Sequence, residues 1–346
     1  MGHLRILRHP RARWQGLRAG ACASHSARHT RITCVGRASS CRSCARDAMR
    51  FQAGDYLVDV VVDIDQFELP ITEFLPGITA DTIEFARTLL EPNHIDVTRN
   101  RLLLAIQSFV LHAGGRTILL DSCVGEEKER RLIPEFHRRA RTGFLDGLAR
   151  IDVPAESVDF VFCTHLHVDH VGWNTRLHDG RWVPTFPNAR YLTGRREFEY
   201  WQQRDRDPIG DGVQLPGFED SVLPIAEAGL LDLVDDGYEL AEGLTLLPLP
   251  GHTPGQLGVR AEGSAPAVFC GDAIHTPVQV LDPELSTNGC VDVLEAARVR
   301  RALLENAVDD DLLIVPAHFR GGGCMRVGRT GRGFVPHFAQ THCAPS

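Results

Sequence analysis

No run of apolar residues in this 346-residue chain approaches the ~20 needed to span a bilayer, which excludes a transmembrane helix. The first 48 residues also lack the apolar core of a secretory signal. Finger-type cysteine spacing is absent too. Of the ten cysteines, Cys22, Cys34, Cys41 and Cys44 fall in that first segment, and no Cys/His pair follows Cys41 and Cys44 at the distance a zinc finger needs. The other six (Cys123, Cys163, Cys270, Cys290, Cys324 and Cys343) are scattered; Cys163 and Cys270 sit in apolar runs, where a reduced thiol behaves as a small hydrophobe. Acids are nearly missing from residues 1–50, where eleven arginines face a lone Asp47. That segment therefore carries about +10, and the remainder about −18, of a net charge of −8. The body is thus acidic, whereas a nucleic-acid face needs clustered Lys and Arg to displace counterions from a phosphate backbone. This argues against a nucleic-acid partner and for a small or uncharged substrate.

With 43% hydrophobic and 24% charged residues, the chain buries a substantial core. Residues 1–48 read either as an organellar leader rich in Arg, Ser and Cys or as a spurious upstream start, because MRFQAGDYLVDVVVDIDQF from Met49 reads at once as folded protein. The expected division is a leader over 1–48 and a single domain over 49–346, soluble and cytoplasmic, with no membrane partner and with room for a homodimer. Apolar, β-branched runs predict strands at 56–64, 102–113, 116–121 and 158–164, and again at ARYLT, LTLLPLP, LGVRAE, AVFCGD and LLIVPAH. Helical spacing predicts helices over 126–150, 195–204 and 292–307. The Gly-rich tail after Gly321 reads as loop. Strands and helices in both halves imply a layered α and β architecture.

Chemistry concentrates in VDFVFCTHLHVDHVGWN, where an apolar strand runs into His165, His167, Asp169 and His170. Residues two apart on an extended chain share a side, so His165 and His167 converge on one ion, while Asp169 and His170 follow in a turn and face a second. His252 in Gly-His-Thr-Pro-Gly, Asp272 after Gly271, and His318 after Pro316-Ala317 lie at further strand ends, where Gly and Pro let the backbone bend sharply. Imidazole and carboxylate suit zinc, with iron or manganese as alternatives, whereas a closed structural zinc site usually draws on Cys. His94, His112, His137 and His178 stand apart from this cluster and are read as ordinary structural histidines.

The HxHxDH motif with the downstream GHTPG, GD and AH elements resembles the metallo-β-lactamase superfamily across about residues 56–319. The resemblance implies an α/β (α+β) fold, a four-layer αβ/βα sandwich of two mixed β-sheets flanked by helices. It also implies two divalent metal ions, most simply Zn2+: His165, His167 and His252 on one, Asp169, His170 and His318 on the other, Asp272 bridging, and Asp121 orienting a ligand histidine from behind. The all-His/Asp set is unlike the true β-lactamases that use Cys in the second site. The long connection between His170 and His252 is similar to the lactonase and methyl parathion hydrolase branches. The compact homoserine lactone lactonases place a Tyr three residues after the bridging Asp; here that position is His275, a leaving-group acid or a structural residue.

Two adjacent cations acidify a bridging water and polarise an ester oxygen, so no Ser or Cys nucleophile is required. The sequence thus points to a binuclear hydrolase of a lactone or carboxylic ester, with Asp169, Asp272 and His275 as catalytic candidates. Trp173, Trp182, Phe186, Tyr191, Phe198 and Trp201 are candidates for an apolar substrate wall. The alternatives are an organophosphate triesterase, a glyoxalase II-type thioesterase, and a nucleic-acid or membrane-surface binder working through the basic leader.

Overall fold

The computed structural model describes residues 5–6, 49–206, 217–339 and 342–343. Apart from Arg5–Ile6, the basic leader lies outside them, and with it Cys41 and Cys44.

The central strands are buried on both faces, so their sequences read as continuous apolar runs rather than as alternations. Leu119 of the strand Arg116–Leu120, and Val161 and Cys163 of Phe160–Cys163, point to one side, into a cluster with Phe144, Leu148 and Phe198. Ile118, Leu120 and Phe162 point to the other, where they join Val259, Phe269 and Val315 of a second sheet. In that sheet Val268 and Cys270 turn outward again, against Leu303 and Leu304 of the helix Val293–Asp309. The result is helix, sheet, sheet, helix. Phe269 anchors the middle, its ring 5.5 Å from Phe109 and 6.4 Å from Phe51. Each large side chain so buried contributes about 1.5–3 kcal/mol.

Among the described residues the larger sheet runs in the order Arg5–Ile6, Leu231–Val234, Arg190–Gly194, Phe160–Cys163, Arg116–Leu120, Arg101–Ala113, Tyr56–Pro70, Met49–Ala53, His342–Cys343, with Ile95–Asp96 beside Arg101–Ala113. The smaller sheet runs Glu239–Ala241, Leu244–Pro248, Leu257–Ala261, Ala267–Gly271, Leu313–Pro316, Met325–Thr330, Gly333–Phe338. Phe160–Cys163 is parallel to both its neighbours, and Ala267–Gly271 is parallel to Leu313–Pro316. Carboxyl ends of parallel strands from both sheets therefore meet along one edge, the usual place for a ligand in α/β proteins. Backbone hydrogen bonds stitch the sheets there: Leu257 N to Thr164 O at 2.9 Å and Ala105 N to His318 O at 2.9 Å.

Two expectations fail. The predicted helix over 126–150 forms only at Phe144–Arg150. Positive φ at Glu127, Arg138 and Arg141 breaks the helix upstream, and that stretch is fixed by buried ion pairs together with Phe136, packed on Phe67 at 4.8 Å. Arg130 forks onto both Asp220 oxygens at 2.7 and 2.8 Å, and Arg139 reaches Asp63 at 2.5 Å. Lys128, the chain's only lysine, is fully buried. Its Nζ donates to Thr175 Oγ1 at 2.5 Å and to Asp220 O at 3.0 Å, and it stands 3.6 Å over the Trp182 ring. Burial pushes this ammonium down to about 7 against the opposing pull of Asp220. The tail after Gly321 is likewise not loop. Met325–Thr330 pairs with Gly333–Phe338 as a hairpin, because Met325, Val327, Phe334 and Val335 are all buried. No helix among the described residues is long and apolar enough to cross a membrane.

Candidate metal centre

Past Cys163 the chain bends at Thr164 and His165, and after an extended His167 makes a single helical turn, Val168–Val171, that carries Asp169 and His170. His252 follows Gly251, whose φ of +128° and whose position (an added Cβ would lie 2.3 Å from Ala296 N) only glycine tolerates. Asp272 caps the strand Ala267–Gly271 and His318 lies just past Leu313–Pro316.

The structure brings all seven candidate ligands together, in two groups: His165, His167, His252 and Asp272, and Asp169, His170 and His318. Within the first, His167 Nδ1 lies 3.0 Å from His165 Nε2 and 2.8 Å from His252 Nε2. Burial, reinforced by the neighbouring His170 and His252 imidazoles, holds His165 and His167 well below the ordinary histidine range, in the neutral form that presents a lone pair. Burial opposes the charge on Asp272, but the facing His318, His170, His275 and His165 outweigh it and hold this carboxyl well below the usual range. His170 Nε2 is buried without a hydrogen-bond partner. Converging ring nitrogens, an ionised carboxylate and an orphaned imidazole nitrogen fit divalent cations, which need no donor hydrogen.

Behind the inward-facing atoms stand partners that orient them. Asp121, held at a positive φ of 56°, accepts from Thr164 N at 2.8 Å with Oδ1 and faces His170 Nδ1 at 2.8 Å with Oδ2. Thr164 Oγ1 in turn lies 3.1 Å from His165 Nδ1. His318 Nδ1 donates to Ala105 O at 2.9 Å, and Cys290 Sγ lies 3.6 Å from His252 Nδ1. Cys290 carries no signal in the sequence that separates it from the other scattered cysteines. His275 is buried against the cluster, its Nε2 3.1 Å from Asp272 Oδ2.

Of the six aromatic candidates for a substrate wall, Trp173, Phe186, Tyr191 and Phe198 belong to the core, the commoner role for such residues, and Trp182 covers Lys128. Trp201 alone of the six reaches the site, edge-on to His167 at 5.3 Å between ring centroids. Phe74 also reaches it, edge-on to His275 at 5.6 Å, a residue from a distant segment that no local motif marks. His94, His112, His137 and His178 belong to neither group; His94 stacks on Phe338 at 4.6 Å.

The profile described as Metallo-beta-lactamase superfamily matches residues 102–318. The chain is 30% identical over 140 residues to N-acyl homoserine lactonase AttM of Agrobacterium fabrum, covering 39% of this chain and 48% of that protein. It thus spans about half the length of AttM. It is 22% identical over 247 residues to N-acyl homoserine lactonase AiiA of Bacillus thuringiensis subsp. kurstaki, covering 64% of this chain and 89% of that one. Among solved structures, a hydrolase named AbOPH in the beta lactamase superfamily superposes with a TM-score of 0.68 at 20% identity, over 85% of this chain and 99% of that one. AidC, a dizinc quorum-quenching lactonase, superposes at 0.66 and 18% identity, over 84% of this chain and 96% of its own. At such identities the two structures speak for the fold alone.

Proposed function

The chain belongs to the metallo-beta-lactamase superfamily, and from that premise we propose that it is a metal-dependent hydrolase of a lactone or carboxylic ester, with two divalent metal ions, zinc first among them, as cofactors. The observation that carries this reading is the Asp272 carboxylate. Its Oδ2 lies 3.6 and 3.3 Å from Nε2 of His165 and His252, and its Oδ1 lies 3.4 and 3.0 Å from Nε2 of His170 and His318. One carboxylate with an oxygen turned to each donor group suits two adjacent cations. His165, His167 and His252 would hold the first, Asp169, His170 and His318 the second, and Asp272 both. Bound there, the cations would supply a hydroxide nucleophile at neutral pH and polarise the ester carbonyl.

The chain's own groups position the substrate and move the protons. Asp169, with 18% of its side chain exposed against 4% for Asp272, is the carboxylate a substrate can reach, and we give it the proton released as the tetrahedral adduct collapses. His275 offers an imidazole N–H to the departing alkoxide, in the place where compact lactonases carry a phenol. The Phe74 and Trp201 rings flank the cluster and suit a small, uncharged substrate with an apolar part. We assign this activity to residues 49–346. Five described cysteines are free, which supports a reducing, cytoplasmic setting.

Elemental analysis of the full chain, coupled to a panel of lactone, aryl ester, thioester and phosphotriester, tests the reading, with Asp272→Ala alongside. About two metals per chain and lactone or ester hydrolysis that the variant loses are the expected results. Turnover of the phosphotriester alone would move the assignment to a triesterase, and of the thioester alone to a thioesterase. Folded, metal-free protein that stays inactive after reconstitution would leave only a shared fold. Deleting residues 1–48 with no change in metal content or hydrolysis would dispose of a role for the leader in binding nucleic acid or membrane.

A further inference from the structure

Glu197 lies in the first turn of the helix Arg195–Arg206 and is completely buried. Its Oε1 accepts from Leu166 N at 3.1 Å and from the Trp201 indole at 2.6 Å, and its Oε2 accepts from Gly255 N at 3.0 Å. Leu166 sits between His165 and His167; Gly255 closes the turn that begins at His252. One carboxylate thus joins the two loops that carry three histidines of the first group. Its third donor, Trp201, is the residue packed edge-on to His167. The contact is tight on the backbone side as well: a Cβ on Gly255 would lie 2.1 Å from Glu197 N.

A buried carboxylate costs several kcal/mol of desolvation unless hydrogen bonds satisfy it. An amide of the same shape avoids that cost. Here, however, N–H groups face both oxygens, with the Thr253 hydroxyl beside them, so both oxygens accept, and a glutamine, whichever way it turned, would set its NH2 against at least one of the three N–H groups. The site therefore demands the anion that is expensive to bury, although Glu197 touches none of the reacting positions. We propose that Glu197 is a positioning residue that sets the spacing of His165 and His167 relative to His252, and so the affinity of the first metal position and not the second. This rests on the assignment of those histidines as ligands.

The test is zinc competition against a chromophoric chelator, reading the two equivalents separately, on the full chain and on Glu197→Gln. The equivalent that His252→Ala abolishes identifies the first position. The expected result is a loss of about tenfold or more in that equivalent, with the other within about twofold and the circular dichroism unchanged. Unchanged affinities, or equal weakening of both, would overturn the inference. Should Glu197→Gln fail to fold, Trp201→Phe withdraws only the indole donor and keeps a ring beside His167. A smaller loss confined to the same equivalent supports the proposal, and no loss overturns it. Wild-type protein that takes up no zinc would overturn the ligand assignment and this inference together, whereas two tight equivalents untouched by Glu197→Gln would overturn the inference alone.

Discussion

His170 and His318 turn their outer ring nitrogens onto strong acceptors, the Asp121 carboxylate at 2.8 Å and the Ala105 carbonyl at 2.9 Å. His165 and His252 have weaker company, the Thr164 hydroxyl at 3.1 Å and the Cys290 thiol at 3.6 Å. In the second group the imidazole rings themselves are fixed, by a charge-assisted bond and by a strand carbonyl. In the first, it is the loops beneath the rings that are fixed, by Glu197. Two donor groups that face one carboxylate, Asp272, thus owe their geometry to different parts of the fold, one to ring orientation and one to loop spacing.

The largest expected effect erases the comparison: Asp272→Ala removes the carboxylate common to both groups, and elemental analysis should find both equivalents lost along with hydrolysis. Asp121→Ala should separate the halves, weakening the second equivalent by about 10–100-fold in a competition titration and the first by less. Equal losses would mean that Asp121 acts through Thr164 and His165 as strongly as through His170. Cys290→Ala should weaken the first equivalent only modestly, by less than Asp121→Ala weakens the second, because a thiol is a poor hydrogen-bonding partner. Lys128→Met should touch neither equivalent and alter the stability profile instead. The folded-state pKa of Lys128, at about 7, lies below its ordinary value of 10.5, so the unfolded chain holds more protons between them. Wild-type stability should therefore rise as pH increases through that window, and thermal melts of the variant should show a flatter rise. A metal equivalent that shifts in Lys128→Met would tie the buried cation to the site.

Much of this was legible in the sequence because chemistry and pattern coincide there. Phe160–Cys163 is apolar on both faces, and the first four candidate ligands follow within a few residues, so strand and site announce each other. His252, Asp272 and His318 each close an apolar run beside Gly or Pro. What stayed hidden depends on contacts between distant segments. The residues of 126–143 have helix-like spacing, yet their conformation is set by Asp220 and Asp63, far along the chain. The glycines after Gly321 obscure a hairpin whose alternation becomes plain only once Met325 and Val327 are seen buried. Glu197 sits in RREFEYW, where charges on both sides suggest a solvated helix face, and Phe74 approaches His275 only through the fold.

The burial of Lys128 has a practical consequence for the chemistry of the surface. Every other cationic side chain apart from histidine is an arginine, so the folded body offers acylating reagents, or enzymes that append groups to primary amines, no exposed ε-amine at all. Labelling of the native protein with an activated ester should stop at the chain's amino terminus. Any slower reaction at Lys128 would then clock the local opening of the segment around Asp220, a single-residue reporter of breathing built into the covalent structure.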